Sequence, residues 1–304
     1  MERELTYSKA IREAMAQKMR EDAKVFLMGE EHIKDMPVSE AAIAGAEAGA
    51  EVTGMRPIAE IVFSDFLTIA ADQMVNQAAK MRYMFGGKAK VPMVVRAAAG
   101  SGSGAAAQHS QSLEAWFCHI PGLRVIAPST PYDAKGLLIS AIEDDNPVIF
   151  FEQRKLYQMK GMVPEELYRI PIGKADIKRM GKDVTVITYG RMVQMCLKTA
   201  DKLAGEGIDV EIVDLRTLSP LDKETIIGSV RKTGRVVIVH EANLTGGIGG
   251  EVSAVICDSI AFYYLDAPVK RVCGLDVPIP YNRELERNAV PTVEKIEAAI
   301  KDII

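Results

Sequence analysis

Two residues of this chain combine a type and a setting that could support proton transfer, Glu40 and His109. Glu40 opens the small-residue stretch EAAIAGAEAGAEVTG, where a helix dipole favours an ionised carboxylate and apolar neighbours favour a protonated one. His109 follows a glycine-rich turn and is flanked by Gln108 and Ser110, a polar setting suited to an imidazole that exchanges protons near neutral pH. Considered alone, either residue is more often structural than catalytic.

The glycine-rich turn itself has a second interpretation. Gly102, Gly104 and Ala107 satisfy a GxGxxA spacing, which is typical of turns that bring a helix N-terminus to a dinucleotide. That fold also needs an acidic residue at the end of the next strand, and here Pro128 and Ser129 stand there. A nicotinamide-binding dehydrogenase is therefore disfavoured, and a packing turn is the alternative.

A third segment, HEANLTGGIGGE from His240 to Glu251, follows a predicted strand and opens a predicted helix. Its glycines could surround an anion, but Glu241 and Glu251 would repel one, so it is interpreted as a packing turn. The sequence contains no HExxH, Walker or G-x-S-x-G motif. Its histidines and cysteines are too scattered to predict a metal cluster.

The composition sets limits on the class of protein. The chain has 304 residues, 48% of them hydrophobic, and a net charge of −4, which is ordinary for a globular protein and gives no basic field for nucleic acid or an anionic membrane. Its N-terminus lacks the apolar core of a signal peptide, and no run approaches the length of a membrane span. The four cysteines form no CxxC pair, which favours a reduced, cytoplasmic location.

Strands and helices alternate along the first half of the chain. Strands predicted at 24–29, 56–63, 91–96, 123–127 and 147–151 are separated by helices at 39–54, 65–83, 110–118 and 131–143. Each strand is apolar on both faces, which indicates a mostly parallel sheet covered by helices, the α/β class. Ligands in such folds bind at the carboxyl ends of the strands.

The alternation lapses over residues 156–182 and then resumes. Strands are predicted at 184–189, 210–214, 236–239 and 269–272, and helices at 192–205, 221–232, 249–260 and 293–303. We therefore expect an open-sheet α/β domain at 1–155, a linker at 156–182 and a smaller α/β domain at 183–304.

Several ordered motifs carry a resemblance to a known family. They are PVSEAAIAG, GMRPIAEI, DQMVNQAAKMRYMFGG, the long stretch from AAAQHSQSLEAWF to NPVIFFE, VDLRTLSPLD and HEANLTGG. From about Ser8 to the C-terminus the chain resembles the β subunit of the thiamine-diphosphate-dependent decarboxylating component of 2-oxo acid dehydrogenase complexes, including the acetoin dehydrogenases. The resemblance implies a pyrimidine-binding first domain and a transketolase C-terminal-type second domain.

The resemblance also implies roles for single residues. Glu40 matches the glutamate that bonds N1′ of the aminopyrimidine and so promotes removal of the cofactor's C2 proton. Phe66 matches the aromatic residue that packs on the pyrimidine, and Val38 belongs to the same cofactor-binding set. His109 matches the histidine that assists substrate handling and acyl transfer to the lipoyl group. The oxygens of a potassium site in the family match Met93, Ala141, Ile142, Asp144 and Asn146.

One motif of thiamine enzymes is missing. No GDG occurs in the sequence, so the resemblance implies that a separate α subunit supplies the Mg²⁺ and diphosphate half of the site in an α₂β₂ assembly. The small-residue step at Gly45 and Gly49 predicts a close helix crossing, within the chain or against that partner. One departure lies between Glu31 and Asp35, where the family carries a longer glycine-rich segment that ends in a helix and only His32, Ile33 and Lys34 remain here. Either this is a shortened variant or residues are missing from this sequence. A true shortening puts substrate access in doubt, though not the fold.

The expected function is decarboxylation of a 2-oxo acid, with pyruvate as the first choice, and reductive acylation of a lipoyl domain on an acyltransferase core. Cleavage of acetoin is the alternative within the family. A catalytically silent partner that stabilises or regulates an α subunit is the alternative from another class, and the short 30–36 segment is its main support.

Overall fold

The structure is a computed structural model and describes residues 2–29, 34–35 and 38–304. The shortened segment around His32 and Ile33 lies outside the described residues. Two compact units are present. The first comprises Met1–Ala99, Trp116–Ile172 and Leu218–Pro220, and the second comprises Gly100–Ala115, Gly173–Thr217 and Leu221–Ile304.

The elements follow one another in an alternating order. Up to residue 172 they are β1 (Glu2–Thr6), α1 (Tyr7–Glu21), β2 (Val25–Gly29), β3 (Lys34–Asp35), α2 (Glu40–Val52), β4 (Arg56–Ile61), α3 (Ala79–Met84), β5 (Val94–Ala99), α4 (Glu114–Cys118), β6 (Arg124–Ile126), α5 (Pro131–Glu143), β7 (Val148–Gln153) and β8 (Lys160–Pro164). They continue with β9 (Asp176–Arg179), β10 (Val184–Thr188), α6 (Met192–Ala204), β11 (Val210–Asp214), β12 (Thr217–Ser219), α7 (Lys223–Thr233), β13 (Val236–Asn243), α8 (Ile248–Cys257), β14 (Lys270–Gly274), α9 (Arg283–Ala289) and α10 (Val293–Lys301).

A seven-stranded sheet forms the centre of the first unit, with the order β12-β6-β7-β5-β4-β2-β3. The registered pairs from β6 to β3 are all parallel. All six residues of β7 are buried, as expected for a strand covered on both faces. Because the strands are parallel, the segments that follow β2, β4, β5 and β7 start from the same edge of the sheet.

Helices α1 and α5 pack together over this sheet. Tyr7, Ile11 and Met15 of α1 share one buried cluster with Leu137 and Ile142 of α5. Helix α5 begins at Pro131, and the side chain of its N-cap residue, Thr130, accepts a hydrogen bond from the backbone N–H of Asp133. Together these two helices cover one face of the sheet.

The second unit contains a five-stranded sheet, β14-β13-β10-β11-β9, in which β9 runs antiparallel to β11 and the other pairs are parallel. Helices α6 and α10 cover it, with Cys196, Leu203, Ile296 and Ile300 in a cluster with the strand residues. Among the described residues, no helix combines the length and the hydropathy that crossing a bilayer requires.

Most predicted elements are present, and several predictions were wrong in detail. The helix expected over 65–83 is broken into a short 3₁₀ helix (Ser64–Thr68), a π-helical turn (Gln73–Ala78) and α3. The helix expected from 110 begins only at Glu114, because the polar residues before it remain in a loop. The aperiodic 156–182 segment contains β8, which pairs with β1, and β9, and neither shows a sustained sequence period.

Candidate active site

Glu40 and Phe66 are both positioned at the carboxyl edge of the first sheet. Glu40 is the first residue of α2, which follows β2 and β3, and its side chain is 7% exposed. Ser39 precedes it at the N-cap position, although its side chain makes no capping hydrogen bond. Phe66 lies in the 3₁₀ helix that follows β4. A carboxyl and a partly exposed aromatic ring therefore follow strands that end at the same edge of the sheet.

A second aromatic ring contacts Phe66. The ring of Phe63 meets it edge to face at 5.8 Å between centroids, and the guanidinium of Arg154 lies 4.7 Å from the centre of the Phe63 ring. Such contacts orient aromatic rings as well as burying them. Val38, the other residue predicted to contact the cofactor, is 77% exposed in the bend before α2.

A buried ion cluster, here the Arg96 cluster, lies at the same sheet edge. Arg96 of β5 is paired in register with Glu60 of β4, and its Nη1 lies 2.8 Å from Oε2 of that residue. Its Nε lies 2.6 Å from Oε1 of Glu152 at the end of β7, and Tyr157 donates its hydroxyl to Oε2 of Glu152 at 3.0 Å. A cavity of about 170 Å³ opens beside these residues.

The carboxylates decide the charge of the Arg96 cluster. Burial by itself lowers the pKa of the Arg96 guanidinium, but the negative charges of Glu152 and Glu60 outweigh burial and hold this pKa above its usual value. Burial and the charge of Glu152 likewise raise the pKa of Tyr157, which therefore remains a neutral donor. The cluster fixes the ends of three adjacent strands around the cavity.

Helix α2 carries two further buried carboxyls, Glu47 and Glu51, one turn apart and on the same face as Glu40. In the described part of the chain no side-chain oxygen of either residue has a hydrogen-bond partner. Burial, followed by the charge of Glu51, raises the pKa of Glu47 well above its ordinary value, and burial raises the pKa of Glu51 to about 8. Burial therefore favours the protonated form of both carboxyls.

His109 belongs to the second unit, in the loop between β5 and α4. Its side chain is half-buried, and its backbone N–H donates to the carbonyl of Ala106 at 3.4 Å. Ala106 has a φ of +61°, which is unusual for a residue with a side chain. Glu114 is buried nearby in sequence, and its pKa is raised to about 8, first by burial and then by the charge of Glu241 against an opposing backbone hydrogen bond.

The loop residues Gln108, Ser110 and Gln111 line an open cavity of about 660 Å³ within the second unit. Glu241 and Asn243, at the end of β13, line it from the other side. The structure thus places Glu40 and Phe66 on the first unit and His109 on a loop of the second unit whose neighbouring residues line this cavity.

Five residues are predicted to bind potassium. Ala141 and Ile142 lie at the end of α5, Asp144 and Asn146 lie in the loop before β7, and Met93 lies directly before β5. The guanidinium of Arg56 donates to the carbonyl oxygens of Ile142 at 3.0 Å and Asp144 at 3.1 Å. Met93 accepts through its carbonyl from Val148, and the Asn146 side chain accepts from Arg82. A carbonyl oxygen has a second lone pair for a cation, so the set fits potassium in donor type, and the site stays a prediction. Among the described residues, no group of three or more histidines, cysteines and carboxylates could hold a metal ion.

The HEANLTGGIGGE segment is a packing turn around a buried histidine. A Cβ at Gly247 or Gly249 would lie within 3 Å of the His240 ring. Burial lowers the pKa of His240 to about 4, and its Nε2 lies 3.2 Å from Sγ of Cys273, whose pKa burial raises to about 11. Both shifts favour the neutral imidazole and the neutral thiol.

The two glycines of α2 have different surroundings. A Cβ at Gly45 would make ordinary contact with the Gln73 side chain at 3.6 Å, whereas a Cβ at Gly49 would meet nothing within 4 Å. The close helix crossing predicted from their spacing is therefore not made within the described chain at Gly49, which is exposed.

Reasoning from the sequence did not single out the Arg96 cluster or the Glu47 and Glu51 pair. A signal was present for the cluster, because Glu60, Arg96 and Glu152 are charged residues within or at the ends of otherwise apolar strand runs. For Glu47 and Glu51 no comparable signal existed, since glutamates on a small-residue helix are ordinarily exposed.

Known protein families match both halves of the chain. The transketolase pyrimidine-binding domain family matches residues 30–160, and the transketolase C-terminal domain family matches residues 173–296. The β subunit of acetoin:2,6-dichlorophenolindophenol oxidoreductase from Cupriavidus necator is 47% identical, over 99% of this chain and 98% of its own length. The β subunit of the pyruvate dehydrogenase E1 component from Rhizobium meliloti is 43% identical, over 98% of this chain and 70% of its own length.

A solved structure supports the fold. It is described as a split gene transketolase, inactive β4 tetramer, and it matches with a TM-score of 0.82 at 23% identity, covering 98% of each chain. The predicted two-domain α/β fold of transketolase type is confirmed. These relatives are more than 40% identical along nearly the whole chain, and both domain families and the fold agree with them. The chain therefore belongs to the family of transketolase-like β subunits of 2-oxo acid and acetoin dehydrogenase components.

Proposed function

We propose that this chain is the β subunit of a thiamine-diphosphate-dependent oxidoreductase that decarboxylates a 2-oxo acid, with pyruvate as the leading substrate, and passes the acyl group to a lipoyl domain. The buried carboxyl of Glu40 at the first turn of α2, together with the aromatic ring pair that follows β4 at the same edge of the sheet, is the observation that carries the proposal. In this proposal residues 1–155 form the pyrimidine-binding domain, 156–182 the linker and 183–304 the C-terminal domain.

The residues present fit the pyrimidine half of the cofactor in chemistry. When bound, thiamine diphosphate supplies the electron sink that makes decarboxylation possible. The carboxyl of Glu40 would hold a proton at N1′ of the aminopyrimidine, since a buried carboxyl has no water to compete for that proton. The partly exposed ring of Phe66 would cover the pyrimidine face, and Val38 would border it.

His109 and the Arg96 cluster have different roles in this proposal. The half-buried imidazole of His109 would move a proton during substrate binding and acyl transfer, and the residues on either side of it, Gln108 and Ser110, line an open cavity. Arg96, Glu60 and Glu152 would keep the strand ends in place around the site and exclude water from it. Mg²⁺ and the diphosphate would be held mainly by an α subunit, and potassium would occupy the Met93 to Asn146 set.

Acetoin cleavage is the second candidate, because one of the most similar relatives is named as an acetoin oxidoreductase subunit and is 47% identical. The same α₂β₂ assembly would serve both reactions. The four free cysteines of the chain support a reducing, cytoplasmic location.

Turnover of the reconstituted assembly tests the proposal. The chain is combined with its α subunit, thiamine diphosphate and Mg²⁺, and dye reduction is followed with pyruvate, a branched-chain 2-oxo acid or acetoin. We expect turnover with at least one of these substrates. A correctly formed assembly that turns over none of them contradicts the proposal and leaves the silent partner as the better explanation, whereas turnover that is lost in His109→Ala with folding intact excludes that alternative.

The role of Glu40 has a test of its own. Glu40→Gln is expected to reduce turnover about 10²- to 10⁴-fold, the usual contribution of a positioned acid or base, while the assembly still forms. Exchange of the C2 proton of the cofactor should slow to a similar extent. Glu47→Gln on the same helix is the matched control and should leave both rates unchanged. Normal C2 exchange in Glu40→Gln would refute the assigned role.

A further inference from the structure

The glycine-rich loop that carries His109 already holds an anion, and that anion is a side chain of the same unit. The backbone N–H of Gly102 donates to Oε1 of Glu286 at 2.6 Å, and the N–H of Gly104 donates to Oε2 at 3.1 Å and to Oε1 at 3.4 Å. Gly102 and Gly104 have φ values of +100° and +71°, so both N–H groups can converge on one carboxylate. Successive N–H groups arranged in this way form an anion-binding nest.

The chain presents Glu286 rigidly to this nest. Glu286 lies in the middle of α9, and only 2% of its surface is exposed. The side chain of Asn282 caps the helix by accepting from the N–H groups of Glu284 and Leu285. A carboxylate on a capped, packed helix loses little additional freedom when it binds the loop.

A second carboxylate binds the neighbouring residue of the loop. Ser101 donates its backbone N–H to Glu241, a 6% exposed residue of β13. Arg191 donates Nε to the other oxygen of Glu241 and Nη2 to Oγ of Ser101 at 3.0 Å. Three amides of the loop, at positions 101, 102 and 104, are therefore held by two buried carboxylates of the second unit.

This arrangement explains the GxGxxA spacing without a dinucleotide. The positive φ values at Gly102 and Gly104 are those that a phosphate-binding turn would use, but a protein carboxylate occupies the position of the phosphate. A side chain at either glycine would be strained by its φ alone, and at position 104 it would also contact Arg283.

We propose that Glu286 is a positioning residue, which acts through the loop: its carboxylate, bound in the Gly102 and Gly104 nest, holds the loop so that the imidazole of His109 has a defined place. Charge-assisted hydrogen bonds to a buried carboxylate are among the stronger contacts available to a loop. The catalytic part of this inference rests on the proposed function, because it assigns His109 a role in turnover. The loop-holding part depends on the geometry of the second unit alone.

Hydrogen exchange of the full chain tests the loop-holding part without substrate. In Glu286→Ala the amides of Gly102 and Gly104 should exchange at least about tenfold faster than in the wild type, since loss of a charge-assisted bond removes their protection. Glu286→Gln keeps one acceptor oxygen and should be intermediate. Glu284→Gln, an exposed position on the same helix, is the matched control. Unchanged exchange of residues 100–112 in Glu286→Ala overturns the inference, and if that variant fails to fold, Glu286→Gln decides.

Kinetics of the α₂β₂ assembly test the catalytic part. Glu286→Ala should lower kcat about tenfold or more with a much smaller change in KM, because a displaced His109 affects the reaction more than substrate binding. In a His109→Ala background the same substitution should have no further effect on kcat, whereas a general loss of stability would add to it. An unchanged kcat in Glu286→Ala overturns the positioning role. If the wild-type assembly shows no turnover, the proposed function fails, and exchange alone decides whether Glu286 holds the loop.

Discussion

Arg96 and Glu47 are both almost completely buried in the first unit, yet their surroundings have opposite character. Arg96 lies between two carboxylates at 2.6 and 2.8 Å, with Tyr157 completing the network. Glu47 lies on α2 beside Glu51, and neither carboxyl has a hydrogen-bond partner among the residues that the structure describes. The Arg96 guanidinium therefore keeps its charge, whereas burial favours the protonated form of the α2 pair.

The fold gives the buried charge of Arg96 oppositely charged partners, whereas it buries the carboxyls of Glu47 and Glu51 without such partners among the described residues. Pairing makes the two carboxylates of the Arg96 cluster depend on Arg96, because removing the guanidinium leaves both of them charged and without compensation. Burial without pairing makes the α2 pair dependent on pH, because a proton must stay bound for the helix to remain packed. Each consequence can be measured.

The largest effect is expected when the Arg96 cluster is broken. Arg96→Met keeps an unbranched apolar stem but leaves Glu60 and Glu152 without their cation, so the free energy of unfolding should fall by about 3–5 kcal/mol. Urea denaturation at neutral pH measures it. Arg169→Met removes an ion pair with Glu143 in which Arg169 is exposed, and this control should cost much less stability than Arg96→Met. Equal losses in both variants would mean that burial of the Arg96 cluster does not matter.

A smaller effect is expected from the pH dependence of the α2 pair. The folded chain raises the pKa of Glu51 to about 8, whereas the unfolded chain has the ordinary value near 4.5. The stabilisation from this group is thus fully present below about pH 4.5 and is lost as the pH rises through about 8. Relative to Glu51→Gln, the wild type should lose about 2–3 kcal/mol of stability between pH 5 and pH 7, the value for one bound proton.

Urea denaturation at several pH values measures this difference. Glu224→Gln on α7 removes an exposed carboxylate and serves as the control, with a pH profile parallel to that of the wild type. A Glu51→Gln profile that also runs parallel to the wild type between pH 5 and pH 7 would show that Glu51 titrates normally, and the contrast with the Arg96 cluster would disappear.

The smallest effect on stability is expected at Gly49, the exposed glycine of α2. Gly49→Ala adds a methyl group where nothing lies within 4 Å, so the isolated chain should gain about 0.5–1 kcal/mol from the better helix propensity of Ala. If α2 packs against an α subunit at this position, the same variant should weaken α₂β₂ assembly. Light scattering or analytical ultracentrifugation measures this effect. Gly45→Ala, which faces Gln73 within the chain, should leave assembly unchanged.

Much of the fold was predictable because apolar runs and helix periods are local properties. Helix α5 begins at Pro131 and ends at Glu143 as predicted, and β11 spans the predicted 210–214. The predicted helix over 65–83 was wrong, since its backbone changes to 3₁₀ and π geometry at Ser64–Thr68 and Gln73–Ala78. Strand β8 was missed because its pairing with β1 is a long-range contact that leaves little local pattern.

The candidate site likewise has residues that were predictable from the sequence and residues that were not. The types and spacing of Glu40, Phe66 and His109 were visible in the sequence, and their motifs led to the family that the relatives confirm. Their roles remain predictions. The partners of Glu286 and Arg96 were not visible, because Gly102 and Glu286, or Arg96 and Glu152, are far apart along the chain and meet only after folding.

The sequence by itself determined the fold class, the family and the residue types that could do chemistry, because apolar periodicity and ordered motifs are written along the chain. Only the tertiary structure decided which charges are paired. Glu47, Glu152 and Glu286 are the same residue type, and one is unpartnered within the described chain, one binds a guanidinium and one binds backbone amides. The charge state and role of a buried carboxyl depend on which groups packing brings within about 3 Å of it, and sequence spacing does not specify those groups.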